Sequence, residues 1–443
     1  MSRHTYKLQS YFSAGEEDDL SYFDSTQYAH ETYKLGRDIN TDCIAVESAL
    51  DYIGLLDRFS TKFNQLSSKN AIISQNTLRM YVIGVESIYH KLGIVKQNPL
   101  VSLESNAGNT FTNRQMQIAA ESLGETIMKA LKAVLKFIVL MLNKIGDYMI
   151  KAGTFFKNLG NRLDKRTGSN PQQTADTPAS PASVVEQAEE KKKPSEEIIK
   201  KEPPPEGHAW LSSELSKLIG PLIEKDRVVD YNTIKRILYT VELELKSAFD
   251  FIGCLIEIQK YTCSKIEHVD IDDSIKRVLY NIVRKLQDDI RDLGINKRLL
   301  ARYEDFVIMG ITVKQIQEDY PVLIKTNWME SKPDDTYGIL IKLGDSDQVD
   351  KDVLKEVYKK LESLSDYSSQ LKDITASLNE FSNKLTDAAS NGLNFNALVF
   401  KDIESYIKSI HSVNTFIVTL IEIMMKVAAN ACRAIDLYNV ESR

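Results

Sequence analysis

Two groupings in the sequence combine residue types and spacing that suit a cation. Glu86 and His90 stand four apart, which on a helix places a carboxylate and an imidazole on one face. That spacing serves a metal pair or an ordinary helix ion pair equally well. The six histidines are scattered singly along the chain, so the ion pair is the reading taken. The second grouping is Glu267-His268-Val269-Asp270 with Asp272 and Asp273 just beyond. These oxygens could gather around a cation, but they read as a solvated turn capping a helix that starts at Ser274. The four cysteines, Cys43, Cys254, Cys263 and Cys432, form no CxxC pair. Their spacing fits neither a zinc site nor a disulfide framework, which leaves buried free thiols in a reducing compartment.

Motifs that build active sites are missing. There is no GxxxxGK[ST] or GxGxxG phosphate loop, no GxSxG elbow, no HExxH helix and no kinase signature. Glycine, at 19 of 443 residues, is scarce, which argues against doubly wound and barrel enzymes whose turns consume it. No catalytic residue, cofactor or metal site is assigned, and the chain reads as non-enzymatic. The net charge of −6 gives no general electrostatic reason to bind nucleic acid. The first thirty residues lack an apolar run and carry Glu16-Glu17-Asp18-Asp19, so no standard signal peptide is expected.

The elements around these residues read as mainly α, in two helical regions joined by a disordered proline-rich linker. Residues 1–40 are polar and read as a partly disordered N-terminus. Residues 41–163 form the first helical region, with a helix from about Thr41 capped by Asp42, and a second over 71–93 closing at Gly93. The linker is placed at 164–207, where seven of the eleven prolines fall among polar and Lys/Glu runs that cannot bury enough apolar surface to order. Residues 208–443 read as a helical bundle. Leu238, Val241, Leu245, Phe249, Ile252 and Ile256 make one stripe, and Leu354, Val357, Leu361, Leu364, Leu371, Leu378 and Leu385 another. The partner expected for the second stripe is 396–437. Short β-type runs at 311–316 and 337–342 predict a small antiparallel ribbon within 311–343.

The helix from Asn113 is the most distinctive. Glu125, Lys129, Lys132, Lys136, Asn143, Asp147 and Lys151 recur at three, four or seven residues, which puts them on one stripe of a helix some 40 residues long. Around the stripe the helix is apolar, including the run Phe137 to Leu142. So wide a sector needs a cover: protein, a second copy of the chain, or a lipid surface. A transmembrane span is disfavoured because Lys132, Lys136, Asn143, Lys144 and Asp147 interrupt it. Lys129, Lys132, Lys136, Phe137, Leu140, Lys144 and Lys151 are the candidate interaction residues. The lysines are too sparse, and too mixed with acids, to hold nucleic acid in a sequence-specific way.

One pattern recurs before residue 123: a small residue, any residue, glutamate, serine. It occurs as Ala45-Val46-Glu47-Ser48, Gly84-Val85-Glu86-Ser87, Ser102-Leu103-Glu104-Ser105 and Ala119-Ala120-Glu121-Ser122. Only Glu104 and Ser105 lie in an expected connection, where a protease could bind the chain extended. Ser102 to Ser105, following a helix with Val85-Glu86-Ser87 and preceding Ala119 to Leu123 at the head of a lysine-rich helix, resembles the internal head, or virion structural, proteins of large tailed bacteriophages. The resemblance covers about residues 41–160. It implies a virion component packaged inside the phage head and made in the host cytoplasm. Its implied partners are other virion proteins and itself, with a prohead protease cutting after Glu104 first and Glu121 second, behind which stand Glu47 and Glu86. The basic helix of such proteins is often rich in tryptophan, whereas the tryptophans here are Trp210 and Trp328. The alternatives are a membrane-active protein working through 113–151 and a cellular helical adaptor.

Overall fold

The computed structural model describes residues 27–69, 73–94, 110–167, 203–223, 228–268, 271, 275–292, 307–308, 311–312, 338–343, 348–390 and 397–442. Its helices are α1 (Gln27–Ser68), α2 (Gln75–Lys91), α3 (Asn113–Thr167), α4 (Ser213–Ile219), α5 (Tyr231–Glu267), α6 (Ile275–Asp292), α7 (Asp352–Glu362), α8 (Tyr367–Ser390) and α9 (Ala397–Glu441). The mainly helical reading with a small strand element holds.

The helix expected from Thr41 begins fourteen residues earlier, at Gln27. Ile39, Cys43, Val46, Leu50 and Ile53 alternate four and three apart and are all buried, so the apolar seam already runs through the segment read as polar. Asp42 is therefore no cap. It lies mid-helix and pairs with Lys144 at 2.5 Å. The expected stop of α2 is present: Gly93 takes φ +65°, and the Ile94 amide reaches back to the Tyr89 carbonyl at 2.9 Å. A left-handed residue at that position is what glycine supplies without steric cost. Helix α5 starts on Asp230, whose carboxylate accepts from the Thr233 amide at 2.8 Å.

Helix α9 is the hub. From Tyr406 to Ile435 it is buried around almost its whole circumference, as a helix apolar on most of its sides must be. It is long and apolar enough to cross a membrane, yet 89% of its most apolar window is buried inside the protein. Helices α1, α3, α5 and α6 surround it. The first two precede the proline-rich segment and the last two follow it, so the two helical regions share one core rather than standing apart. Residues 168–202, which hold most of the expected linker, lie outside the described residues.

The long leucine seam of α7 and α8 is buried as expected, but its partner is different. Helix α8 lies along α3 and α5, touching α9 through the Phe381–Tyr406 ring pair at 5.6 Å. With α9 already enclosed by other helices, α8 covers the outer flank of α3. At the end of α7, Gly153 of α3 permits a close crossing, since a Cβ would stand 2.5 Å from the Glu362 carbonyl oxygen.

The strands also pair differently from the expected ribbon. Strand β7 (Leu340–Lys342) is the centre of a three-stranded sheet. It pairs antiparallel with β3 (His208–Trp210), Ala209 facing Ile341, and parallel with β4 (Val228–Val229), Val229 facing Ile341. Val307–Ile308 and Ile311–Thr312 (β5, β6) make a separate two-stranded hairpin, and Ile73–Ser74 pairs with Thr110–Phe111 (β1, β2). The end of α9 clamps the three-stranded sheet and its flanks. Asn439 accepts from the Val349 amide at 2.9 Å and donates to its carbonyl at 3.1 Å. Glu441 receives the Ser212 amide at 3.2 Å, and ion pairs join Arg433 to Glu214 and Lys351 to Asp436.

Two measurements follow. Gly153→Ala would gain up to about 1 kcal/mol in an isolated helix, but the crossing makes it destabilising by about 1–3 kcal/mol in urea unfolding; a stabilised variant refutes the close crossing. Co-expressed fragments 1–167 and 203–443 co-purify as a one-to-one complex, and two soluble fragments that ignore each other rule out the shared core.

Candidate functional site

The candidate interaction helix, α3, is 55 residues long, longer than expected because its apolar periodicity continues through Phe155, Phe156, Leu159 and Leu163. Its wide apolar sector is explained by neighbours on two flanks. On one flank it runs antiparallel to α1. The Ser67 and Ser60 hydroxyls donate to the carbonyls of Asn113 and Ala120, each at 3.2 Å, and the Cys43 thiol meets the Met141 sulfur at 3.4 Å. On the other flank Lys157 pairs with Glu362 at 2.7 Å, and the rings of Phe156 and Tyr358 lie 6.4 Å apart. Within the run from Phe137 to Leu142, Ile138, Val139, Met141 and Leu142 are therefore buried in the chain's own core.

What remains outside is a narrow mixed stripe. Lys129, Lys136 and Lys144 are exposed and Lys132 and Lys151 half-buried. Phe137 is 36% and Leu140 59% exposed, with Ile150 at 45% further along. Lys129 lies 3.8 Å from Glu125 one turn back, Lys144 is held by Asp42, and Lys151 lies 4.0 Å from Glu31. The stripe expected from the sequence is thus brought together on one surface. It offers ammonium groups flanking apolar side chains, which suits docking of an amphipathic surface and no bond-making chemistry.

The candidate cleavage residues are spread out. Glu104 and Ser105 lie outside the described residues. Glu121 is exposed on α3 and accepts from Gln117 at 3.1 Å. The Ser122 carbonyl receives the Thr126 hydroxyl at 3.0 Å, and Thr126 in turn receives Tyr89 at 3.0 Å. Cutting after Glu121 would require unwinding a helix pinned at that point. Glu47 is half-buried within α1, and Glu86 is exposed on α2 four residues before His90, which is exposed too. Among the described residues no group of three or more His, Cys, Asp or Glu side chains is placed to hold a metal ion.

A buried polar stripe on α9 went unread in the sequence. His411, Thr415, Thr419, Glu422, Lys426 and Asn430 recur at three or four residues through the most apolar stretch of the helix; that spacing was its signal. Asn40 of α1 donates to Glu422 at 3.3 Å, and Lys426 pairs with Glu422 at 3.1 Å. The Thr415 and Thr419 hydroxyls donate to carbonyls one turn back at 3.0 and 2.9 Å, which satisfies them inside the core. Beside the stripe, Gln259 of α5 donates to Asn414 at 3.0 Å. Such pairs discriminate between helix registers more than they add stability.

The three fully buried thiols sit in this same interior. Burial pushes Cys43 and Cys263 up to about 12, far from the thiolate that nucleophilic chemistry needs. Cys432 meets the Tyr358 hydroxyl at 3.2 Å. Burial also drives His411 down to about 4, against a hydrogen bond with the Cys43 backbone that favours the charged imidazole.

Comparison with protein-family models, curated proteins and solved structures finds no match.

Since His411 stays neutral in the fold while the unfolded chain protonates near pH 6.5, the unfolded state binds the extra proton between about 6.5 and about 4. Stability contributed by this histidine is present above that window and falls as pH drops through it, by as much as about 3 kcal/mol. Chemical denaturation of His411→Leu beside the parent should show a shallower acid loss across that window; parallel profiles would acquit the histidine.

Proposed function

We propose that this chain is a structural, non-catalytic component of a tailed-phage particle, packaged inside the head and held there by protein contacts. The observation that carries the reading is the stripe on α3. The chain covers every other sector of that helix with its own core, yet leaves Phe137, Leu140 and Ile150 outside between lysines. Exposed apolar side chains gathered in one patch are characteristic of a surface that meets another molecule. A neighbouring virion protein, or a second copy of the chain, is the proposed partner. The small-x-Glu-Ser segments and their order before a lysine-rich helix supply the particle to which the reading assigns it.

Processing by a prohead protease belongs to the same reading and is sharpened by backbone geometry. Of the two leading sites, Glu121 sits in hydrogen-bonded helix, so cleavage after Glu104 is favoured over cleavage after Glu121. The lipid alternative rested on the wide apolar sector of the same helix, which α1, α7 and α8 occupy; what is left exposed is too narrow to submerge a helix face in a bilayer.

Mass spectrometry of purified particles tests both parts. The expected result is the protein among the internal components, with a new N-terminus at Ser105 and little or none at Ser122. Particles free of the protein would sink the structural role, while full-length chains alone would sink the processing step and leave the structural role standing.

A further inference from the structure

The chain's net charge of −6 conceals one strongly basic face, far in sequence from the α3 stripe. Residues 275–287 of α6 contain Lys276, Arg277, Arg284 and Lys285 and no Asp or Glu. All four cations are exposed, whereas Ile275 and Leu279 turn into the core. Arg277, Tyr280, Asn281 and Arg284 fall at i, i+3, i+4 and i+7, a single outward stripe about 10 Å long.

Helix α5 packs beside α6 and adds to this face. The Tyr261 ring, 47% exposed, has the Lys265 ammonium 5.1 Å and the Lys285 ammonium 5.7 Å from its centroid. One ring therefore gathers a lysine from each helix and restrains both by cation–π attraction. Tyr280, 59% exposed, stands between Arg277 and Arg284 on the outward stripe. Acids stand at the rim. Glu257 lies one turn before Tyr261, and Asp288 one turn beyond Arg284. Glu267 is engaged by the Ser377 hydroxyl at 3.0 Å, and Asp402 of α9 feels the charge of Lys276.

We propose that this α5–α6 face binds the phosphodiester backbone of nucleic acid without reading its sequence. Four cations, Lys265, Arg277, Arg284 and Lys285, share the outward and α5-facing surface, and Lys276 lies half a turn round α6 from Lys285, beside Asp402. Guanidinium forks match phosphate oxygens in pairs, and lysines held on a ring lose less freedom on binding than free ones do. A bilayer fits the surface poorly. The aliphatic residues between the cations, Val278, Ile282 and Val283, are half-buried, so among the described residues this face offers two tyrosine rings but no exposed aliphatic side chain to insert. The assignment does not depend on the chain being packaged in a phage head, because it rests on other residues and another surface.

The test is fluorescence anisotropy of the full chain with labelled duplexes of about 20 base pairs, titrated with salt from about 50 mM upward. Binding is expected at low salt, alike for two unrelated sequences, with log K falling against log salt at a slope of about −3 to −4. The triple variant Arg277→Glu, Arg284→Glu, Lys285→Glu changes only exposed side chains. It should unfold at the parent's temperature and bind at least about tenfold more weakly, with the slope reduced by about 2–3. Lys129→Glu with Lys136→Glu on α3 should bind as the parent does. Absence of binding at the lowest salt, undiminished binding by the triple variant, or a loss that tracks the α3 variant instead would each overturn the proposal. So would capture by phosphatidylserine vesicles under conditions where duplex DNA is not bound, since the face would then belong to lipid headgroups.

Discussion

A helix that is buried around almost its whole circumference cannot be covered by one neighbour, and α9 is such a helix. Its burial requires α1 and α3 from one side of the proline-rich segment and α5 and α6 from the other. This single demand explains the rest of the architecture. With the circumference of α9 taken, α7 and α8 find their cover on the outer flanks of α3 and α5. The three-stranded sheet then closes the end of the bundle where α9 finishes, held by Asn439 and Glu441. The proline-rich segment joins two stretches of one core rather than two bodies with separate tasks.

Much of this was legible as pattern. Every residue of the leucine seam from Leu354 to Leu385 is buried, as are the α5 stripe from Leu238 to Ile256 and the face of α9 from Ile403 to Ala431. Periodicity reveals which face is apolar because it is a local property of one helix. It does not reveal which apolar face meets which, and the pairing of α8 with α9 was misjudged for that reason. The strands failed in the same way. Ile339 to Lys342 was recognisable as strand, but its partners, His208–Trp210 and Val228–Val229, are more than a hundred residues earlier and too short to announce themselves. The early start of α1 was hidden because Leu35 and Ile39 are isolated aliphatics among polar residues; only their spacing to Cys43 and Val46 reveals the seam.

The candidate surfaces divide along similar lines. The α3 stripe was readable because its polar positions interrupt a long apolar helix. The basic face of α6 was not, since its four cations look like an ordinary solvated helix until α5 brings Tyr261 and Lys265 beside them. The polar stripe of α9 lies between these cases. Its spacing was visible, but its burial was not, and burial changes His411, Glu422 and Asn414 from surface decoration into groups that specify register. An apolar core alone would let long helices slide by a turn; Asn40 on Glu422 and Gln259 on Asn414 each hold at one alignment.

The position of α9 in the chain also governs how the protein is made. The helix that α1, α3, α5 and α6 surround is the last described element to leave the ribosome. Until it emerges, α1, α3 and α5 carry apolar surface that α9 will cover, so the native core can close only once α9 has been made. Contacts that span nearly the whole chain slow folding and prolong the exposure of sticky surface. The growing polypeptide can cover part of that surface by earlier helix pairing, α1 on α3 first, and the core closes when α9 arrives.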